Sequence, residues 1–137
     1  MVRVVLDTNV LVSALIDDGK PRKLVLELLD KHTVILSRKM LSELVDVISR
    51  NKFTVKNSQV DRFVSSLVRI SNIVPDKAMF KVILEDPDDD VVLNTAFRGR
   101  AEFIVTGDHH LLVLVQFKKT KIVNVNQMQN ILIEKQT

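Results

Sequence analysis

Four acidic residues carry the chemistry that this sequence offers: Asp7, Glu43, Asp90 and Asp108. Asp7 ends the apolar run VRVVL, and Asp108 follows FIVTG, so both carboxylates are expected just past the carboxyl ends of strands, where open α/β sheets bind their ligands. Each also has a simpler reading, Asp7 as the cap of a following helix and Asp108 as part of a Gly-Asp turn. Asp90 closes EDPDDD, whose earlier members suit a helix start: Asp86 as N-cap, Pro87 as first helical residue, Asp88 and Asp89 at the positive helix end. Asp90 shares a helix face with Leu93, Asn94 and Phe97, which turns its carboxylate towards the apolar side. Glu43 has Met40 and Val47 as its i−3 and i+4 neighbours and stands at the margin of a buried stripe, where a salt bridge to a nearby base is an alternative.

Were these carboxylates to converge, repulsion would cost on the order of 4 kcal/mol per pair at about 4 Å and an effective dielectric near 20. A cation must then relieve it. The chain has no cysteine, and its three histidines, His32, His109 and His110, lack zinc-ligand spacing. The matched ion is Mg²⁺ or Mn²⁺, which prefers carboxylate and water oxygens. Such an ion makes water nucleophilic and stabilises charge on a phosphoryl group, which points to phosphodiester hydrolysis.

The elements that must position these acids follow from periodicity. VRVVL (2 to 6) and TVILS (33 to 37) read as strands. Helices are expected from Thr8 to Ile16, from Pro21 to Lys31 with Leu24, Val25, Leu28 and Leu29 buried, and from Arg38 to Arg50 with Leu41, Leu44, Val45 and Ile48 inward. Val60, Phe63, Val64, Leu67 and Val68 mark another helix. A strand at Ile70 to Val74, a helix from Asp86 to Gly99, strands at Glu102 to Val105 and Ile122 to Val125, and short helices at Leu111 to Val115 and Gln127 to Ile133 complete the reading. Alternation of strand and helix predicts an α/β fold with a mostly parallel sheet covered on both faces. At 137 residues and 46% hydrophobic content the chain suits one domain spanning 1–137.

Charge adds less. The net charge of +3 permits a polyanionic partner without requiring one. Basic residues gather at Lys20, Arg22 and Lys23, at Arg50, Lys52 and Lys56, and at Lys118, Lys119 and Lys121, as solvated element ends or as contacts to a phosphate backbone. With six Phe and no Tyr or Trp, a stacking platform for bases is not expected. No apolar run approaches the roughly 20 residues of a membrane span, and the start lacks the apolar stretch of a signal peptide, so a soluble, cytoplasmic protein is expected.

VVLDTNVLVSAL, LSELVDVI, DPDDDVVLNTA and FIVTGDHHLL, in this order, resemble the PIN-domain family over nearly the whole chain, and DPDDD with VTGD resembles the subgroup described as toxins of prokaryotic toxin–antitoxin systems. The resemblance implies a three-layer α/β/α PIN-like fold and an acidic quartet of Asp7, Glu43, Asp90 and Asp108 holding one or two Mg²⁺ or Mn²⁺ ions for RNA cleavage. Asn9 and Thr106 are the implied supporting polar positions, to which Asn94 is added. It also implies a homodimer and a small antitoxin partner. Lys20, Arg22, Lys23, Arg50 and Lys52 are the candidate substrate-binding residues. Alternatives are a PIN module that binds RNA or a peptide without cutting it, and a processing nuclease outside any toxin–antitoxin pair. A phosphotransfer domain is disfavoured, because Asn9 stands where the phosphatase type needs a second Asp.

Overall fold

A computed structural model describes residues 1–50, 55–76 and 87–136. Strand β1 (Arg3–Leu6) leads through α1 (Thr8–Ile16) and α2 (Lys20–Lys31) to β2 (Thr33–Ser37). Helices α3 (Arg38–Arg50) and α4 (Asn57–Ile70) precede β3 (Asn72–Val74), and α5 (Pro87–Arg98) precedes β4 (Phe103–Val105). The short α6 (His109–Leu112), the hairpin β5 (Gln116–Phe117) and β6 (Thr120–Val123), and α7 (Val125–Lys135) follow. These form one six-stranded sheet in the order β3-β2-β1-β4-β6-β5, parallel except for the β5–β6 pair. The sheet is flanked by helices, the α/β/α arrangement expected from the sequence.

Strands β1, β2 and β4 are apolar on both sides because helices cover both: Val4, Val5, Leu6, Ile35, Leu36 and Ile104 are fully buried. The chain moves outward from β1 to β2 and β3, then returns past β1 to β4. Parallel crossovers are right-handed, so the return carries α5 on the face opposite α1 and α2. Helix α2 packs on α1 and α7, whereas α5 packs on β1, β2 and β4. The reversal of direction between β1 and β4 opens a crevice at their carboxyl ends.

Helix α5 is fixed in direction by its far end. Arg3, at the start of β1, donates from Nε and Nη2 to the carbonyl of Gly99 at 3.0 and 2.7 Å. That end of α5 is therefore held at the amino edge of the sheet, and its first turn, with Asp89 and Asp90, lies at the carboxyl edge. The helix ends in a Schellman-type turn, Ala101 N–H to Ala96 O at 2.9 Å and Arg100 N–H to Phe97 O at 3.2 Å, with Arg100 left-handed at φ 53°.

Two helix faces are rotated from the periodicity reading. Met40 and Leu44 are the buried residues of α3, and Val45 is exposed; in α4 Leu67 is buried and Val68 exposed. Each helix has apolar residues on more than one candidate stripe, and only packing against its neighbours selects one. The β5–β6 hairpin was not expected, since its turn at Lys118 and Lys119 contains neither Gly nor Asn, although Lys118 takes φ 55°.

Candidate active site

Asp7 terminates β1, and its own N–H still donates to Val105 O of β4 at 3.0 Å, so the sheet ladder delivers it to the crevice. The residue is only 7% exposed. Its Oδ1 accepts from the N–H of Thr8 at 2.7 Å, capping α1, and its Oδ2 accepts from the hydroxyl of Thr106 at 2.7 Å. Thr106, fully buried at the end of β4, in turn accepts from the N–H of Asp108 at 2.9 Å. A single hydroxyl thus ties the two strand-end acids to one another. The capping reading of Asp7 holds as well, and Asp108, expected in a Gly-Asp turn, is itself a cap: its Oδ1 accepts from His110 N–H at 2.9 Å at the start of α6. His109 and His110 are exposed helix-start residues.

The other two acids approach from helices. Glu43 is half-buried and lines a cleft of about 620 Å³ with Arg38, Lys39, Arg50, Asp76 and Val91. Val91 belongs to the first turns of α5, so Glu43 and the segment bearing Asp90 border one space. Asp90 is half-buried, whereas its neighbour Asp89 is 4% exposed. The inner face of α5 follows Val92, Leu93 and Ala96, which are the i+3, i+4 and i+7 neighbours of Asp89 rather than of Asp90. Sequence reasoning had assigned Asp89 to the solvated helix end. Asn94 is buried and donates to the Asp90 carbonyl at 2.7 Å, a contact one turn along the helix that carries these acids.

Among the described residues, no three carboxylates or histidines stand close enough to hold one metal ion together. The structure joins Asp7 to Asp108 through Thr106 and leaves Glu43 and Asp90 on facing helices. The donor chemistry nonetheless suits a hard divalent cation: carboxylate oxygens at the crevice, and the buried Thr8 Oγ1 beside Asp7, which has no hydrogen-bond partner among the described residues.

The basic candidates separate. Lys20 Nζ donates to Asn126 Oδ1 at 3.3 Å and lines a cleft of about 400 Å³ with Asn9, Thr106, Gly107, Asn124 and Asn126, directly beside the Asp7–Thr106 pair. Arg22 is engaged structurally, donating to Ala14 O and Leu15 O at 2.8 Å each and so satisfying the carboxyl end of α1. Lys23 is exposed, Arg50 lies in the Glu43 cleft, and Lys52 lies outside the described residues. Asn124 and Asn126 escaped sequence reasoning, because Asn124 has an ordinary structural use as the N-cap of α7 and Asn126 stands in that helix's first turn with no motif around it.

A polar crevice with strand-end carboxylates at the switch point of a parallel sheet defines an α/β domain that binds its ligand at that edge. The chain belongs to the PIN-domain family, whose model matches residues 3–110. PIN domains are generally nucleases and typically use divalent metals. Among solved structures, the fold is similar to VapBC2 from Rickettsia felis bound to a DNA fragment from their promoter, with a TM-score of 0.63 over 89% of this chain and 98% of that one, at 16% identity. No curated protein sequence matches the chain. Among the described residues, no helix is long and apolar enough to cross a membrane.

Proposed function

We propose that this protein is a metal-dependent endoribonuclease, the toxin of a toxin–antitoxin pair, with Asp7, Glu43, Asp90 and Asp108 as its acidic residues. The observation that carries the reading is the Asp7–Thr106–Asp108 link at the β1/β4 switch point, in a chain of PIN-domain type. Mg²⁺ or Mn²⁺ held by these carboxylates would supply a nucleophilic water and stabilise charge developing on the phosphoryl group. Thr106 orients Asp7 by holding one of its oxygens, as an outer hydrogen bond orients a metal-binding carboxylate. Asn9 and Asn94 are the further supporting polar residues. Lys20, Lys23 and Arg50, with Lys52, would neutralise the RNA backbone, while Arg22 acts mainly by holding α1.

A small antitoxin partner and a homodimer complete the proposal. Support for the antitoxin is the fold similarity to VapBC2, a toxin–antitoxin complex by its name. The test of the chemistry is RNA cleavage with and without Mg²⁺ or Mn²⁺, in the native protein and in Asp7→Asn, Asp89→Asn and Asp90→Asn. Loss of several kcal/mol of transition-state stabilisation at Asp7 or Asp90 is about a hundredfold or more in rate. Cleavage that survives both Asp7→Asn and Asp90→Asn would sink the assignment.

A second reading, a PIN module that binds RNA without cutting it, draws on the lack of a three-acid cluster among the described residues. It predicts RNA affinity with no turnover under any divalent ion. Co-purification with the product of an adjacent short reading frame separates a toxin from a processing nuclease.

A further inference from the structure

The amino edge of the sheet, on the side away from the acids, carries a basic surface. The hydroxyl of Thr120 donates to the Ala101 carbonyl at 2.7 Å, and the N–H of Lys121 donates to the Glu102 carbonyl at 2.9 Å, so the turn after α5 and the β5–β6 hairpin meet there. Arg100, Lys118, Lys119 and Lys121 all stand within two residues of the Thr120–Ala101 bond, and all four are exposed. The one acid in residues 97–103 and 116–123 is Glu102, and its Oε1 already accepts from the N–H of Arg3 at 3.1 Å. Among the described residues, the side chains of Arg100, Lys119 and Lys121 make no hydrogen bond or ion pair.

Two of these cations occupy backbone positions that suit glycine. Arg100 has φ 53° and Lys118 has φ 55°. Glycine adopts this left-handed conformation without the steric cost that a Cβ carries, and it is the usual residue at the end of a helix such as α5. A long charged side chain at either position works against the fold. Like charges gathered around a single acid also repel one another, and a bound polyanion relieves that repulsion.

We propose that this edge is a second RNA-binding surface, which holds the phosphate backbone away from the bond that is cut and without regard to sequence. It rests on RNA being the ligand of this chain, and not on its cleavage. From Ala101 through β4 to Thr106 the backbone runs about 16 Å at about 3.3 Å per residue, so the edge and the acidic crevice do not grip the same phosphate. A backbone with a charge at every nucleotide can meet several of these cations at once. Lysine and arginine then act on phosphate as charges, which adds affinity and no base preference.

The test is the anisotropy of a fluorescent mixed-sequence RNA of about 25 nucleotides, titrated with the full chain over a salt series without divalent ions. Arg100→Gly with Lys118→Gly should weaken binding by about fivefold or more at about 0.1 M salt and reduce the slope of log K against log salt by about 1.4, two single-strand phosphate contacts. Its thermal midpoint should be unchanged or raised, since glycine relieves both left-handed positions. Lys119→Gln with Lys121→Gln, neither of them left-handed, should show the same loss and decides the matter if the glycine pair does not fold. Arg62→Gln with Arg69→Gln removes equal charge from α4, which leads into β3 at the opposite margin of the sheet, and should keep the native slope. The native slope in both edge variants, an equal loss in the α4 variant, or no RNA binding by the native protein overturns the proposal. So does displacement of RNA by polyglutamate at equal charge, which would assign the edge to acidic proteins. RNA cleavage with Mn²⁺ separates the two claims. Binding that depends on the edge without any cutting upholds the surface and removes the nuclease reading. Cutting with unchanged binding in both edge variants removes the surface alone.

Discussion

Thr106 donates its hydroxyl to Asp7 Oδ2 at 2.7 Å across the boundary between β1 and β4, 99 residues apart in sequence. The Thr106 hydroxyl oxygen accepts from Asp108 N–H, so one small side chain fixes the orientation of one acid and the backbone of the other.

Thr106→Val keeps the shape and removes this connection. Stability should fall by about 1.5–3 kcal/mol, the usual range for a hydrogen bond to a charged group, seen as a lower urea midpoint. Nuclease activity should fall by about 10- to 100-fold, the range for loss of an outer partner of a ligand carboxylate. Thr106→Ser should recover most of both, whereas equal loss in Ser and Val variants would assign the methyl group rather than the hydroxyl.

Gly99→Ala should destabilise the protein by about 1–3 kcal/mol. A Cβ there would collide with Ile35 Cγ2, stand 3.1 Å from its Cδ1 and lie 3.3 Å from the Thr95 carbonyl, and Ile35 is fully buried in β2 with little room to move. Chemical denaturation measures the loss, and a neutral result would mean that α5 can lift from the sheet.

Arg22 and Lys23 are adjacent in sequence but should behave differently. Arg22→Ala removes two hydrogen bonds to the end of α1 and should cost about 1 kcal/mol, reduced because the side chain is 36% exposed. Lys23→Ala should leave stability within about 0.5 kcal/mol. In RNA titrations over a salt series, it should lower the slope of log K against log salt by about one phosphate contact. A stability loss at Lys23 equal to that at Arg22 would contradict this division.

His32 confers a pH dependence of known sign. Its Nδ1 accepts from Val2 N–H at 3.0 Å, a bond available to the neutral ring, and its pKa is lowered below 6.5, first by burial and next by the positive amino terminus. The unfolded chain takes up this proton more readily. The stabilisation is therefore complete above about pH 6.5 and declines as the pH drops from there towards the lower folded value. Urea midpoints measured from pH 7.5 down to 5 should fall in the native protein and fall less in His32→Gln; identical profiles would exclude His32 as a source.

Much of this was legible in the sequence. The strands VRVVL and TVILS, the helix starting at Thr8, and α2 with Pro21 in its first turn are set by local rules, continuous apolar runs for buried strands and Asp or Pro at helix starts. The carboxyl-edge position of Asp7 and Asp108 followed from the same rules. Glu43 at the margin of a buried stripe was equally readable, since Met40 is buried and Glu43 half-buried.

What the sequence by itself determined was which acids end strands and which ride helices, because residue type and period act over a few positions. Only the tertiary structure decided that β1 and β4 are neighbours, that Thr106 links Asp7 to Asp108, and that Asp89 rather than Asp90 turns most deeply inward. Those outcomes depend on strand order and on the rotation of α5 against the sheet. Both are chosen by the packing of Leu93, Ala96 and Gly99 on residues far away in the chain, a choice no local pattern contains.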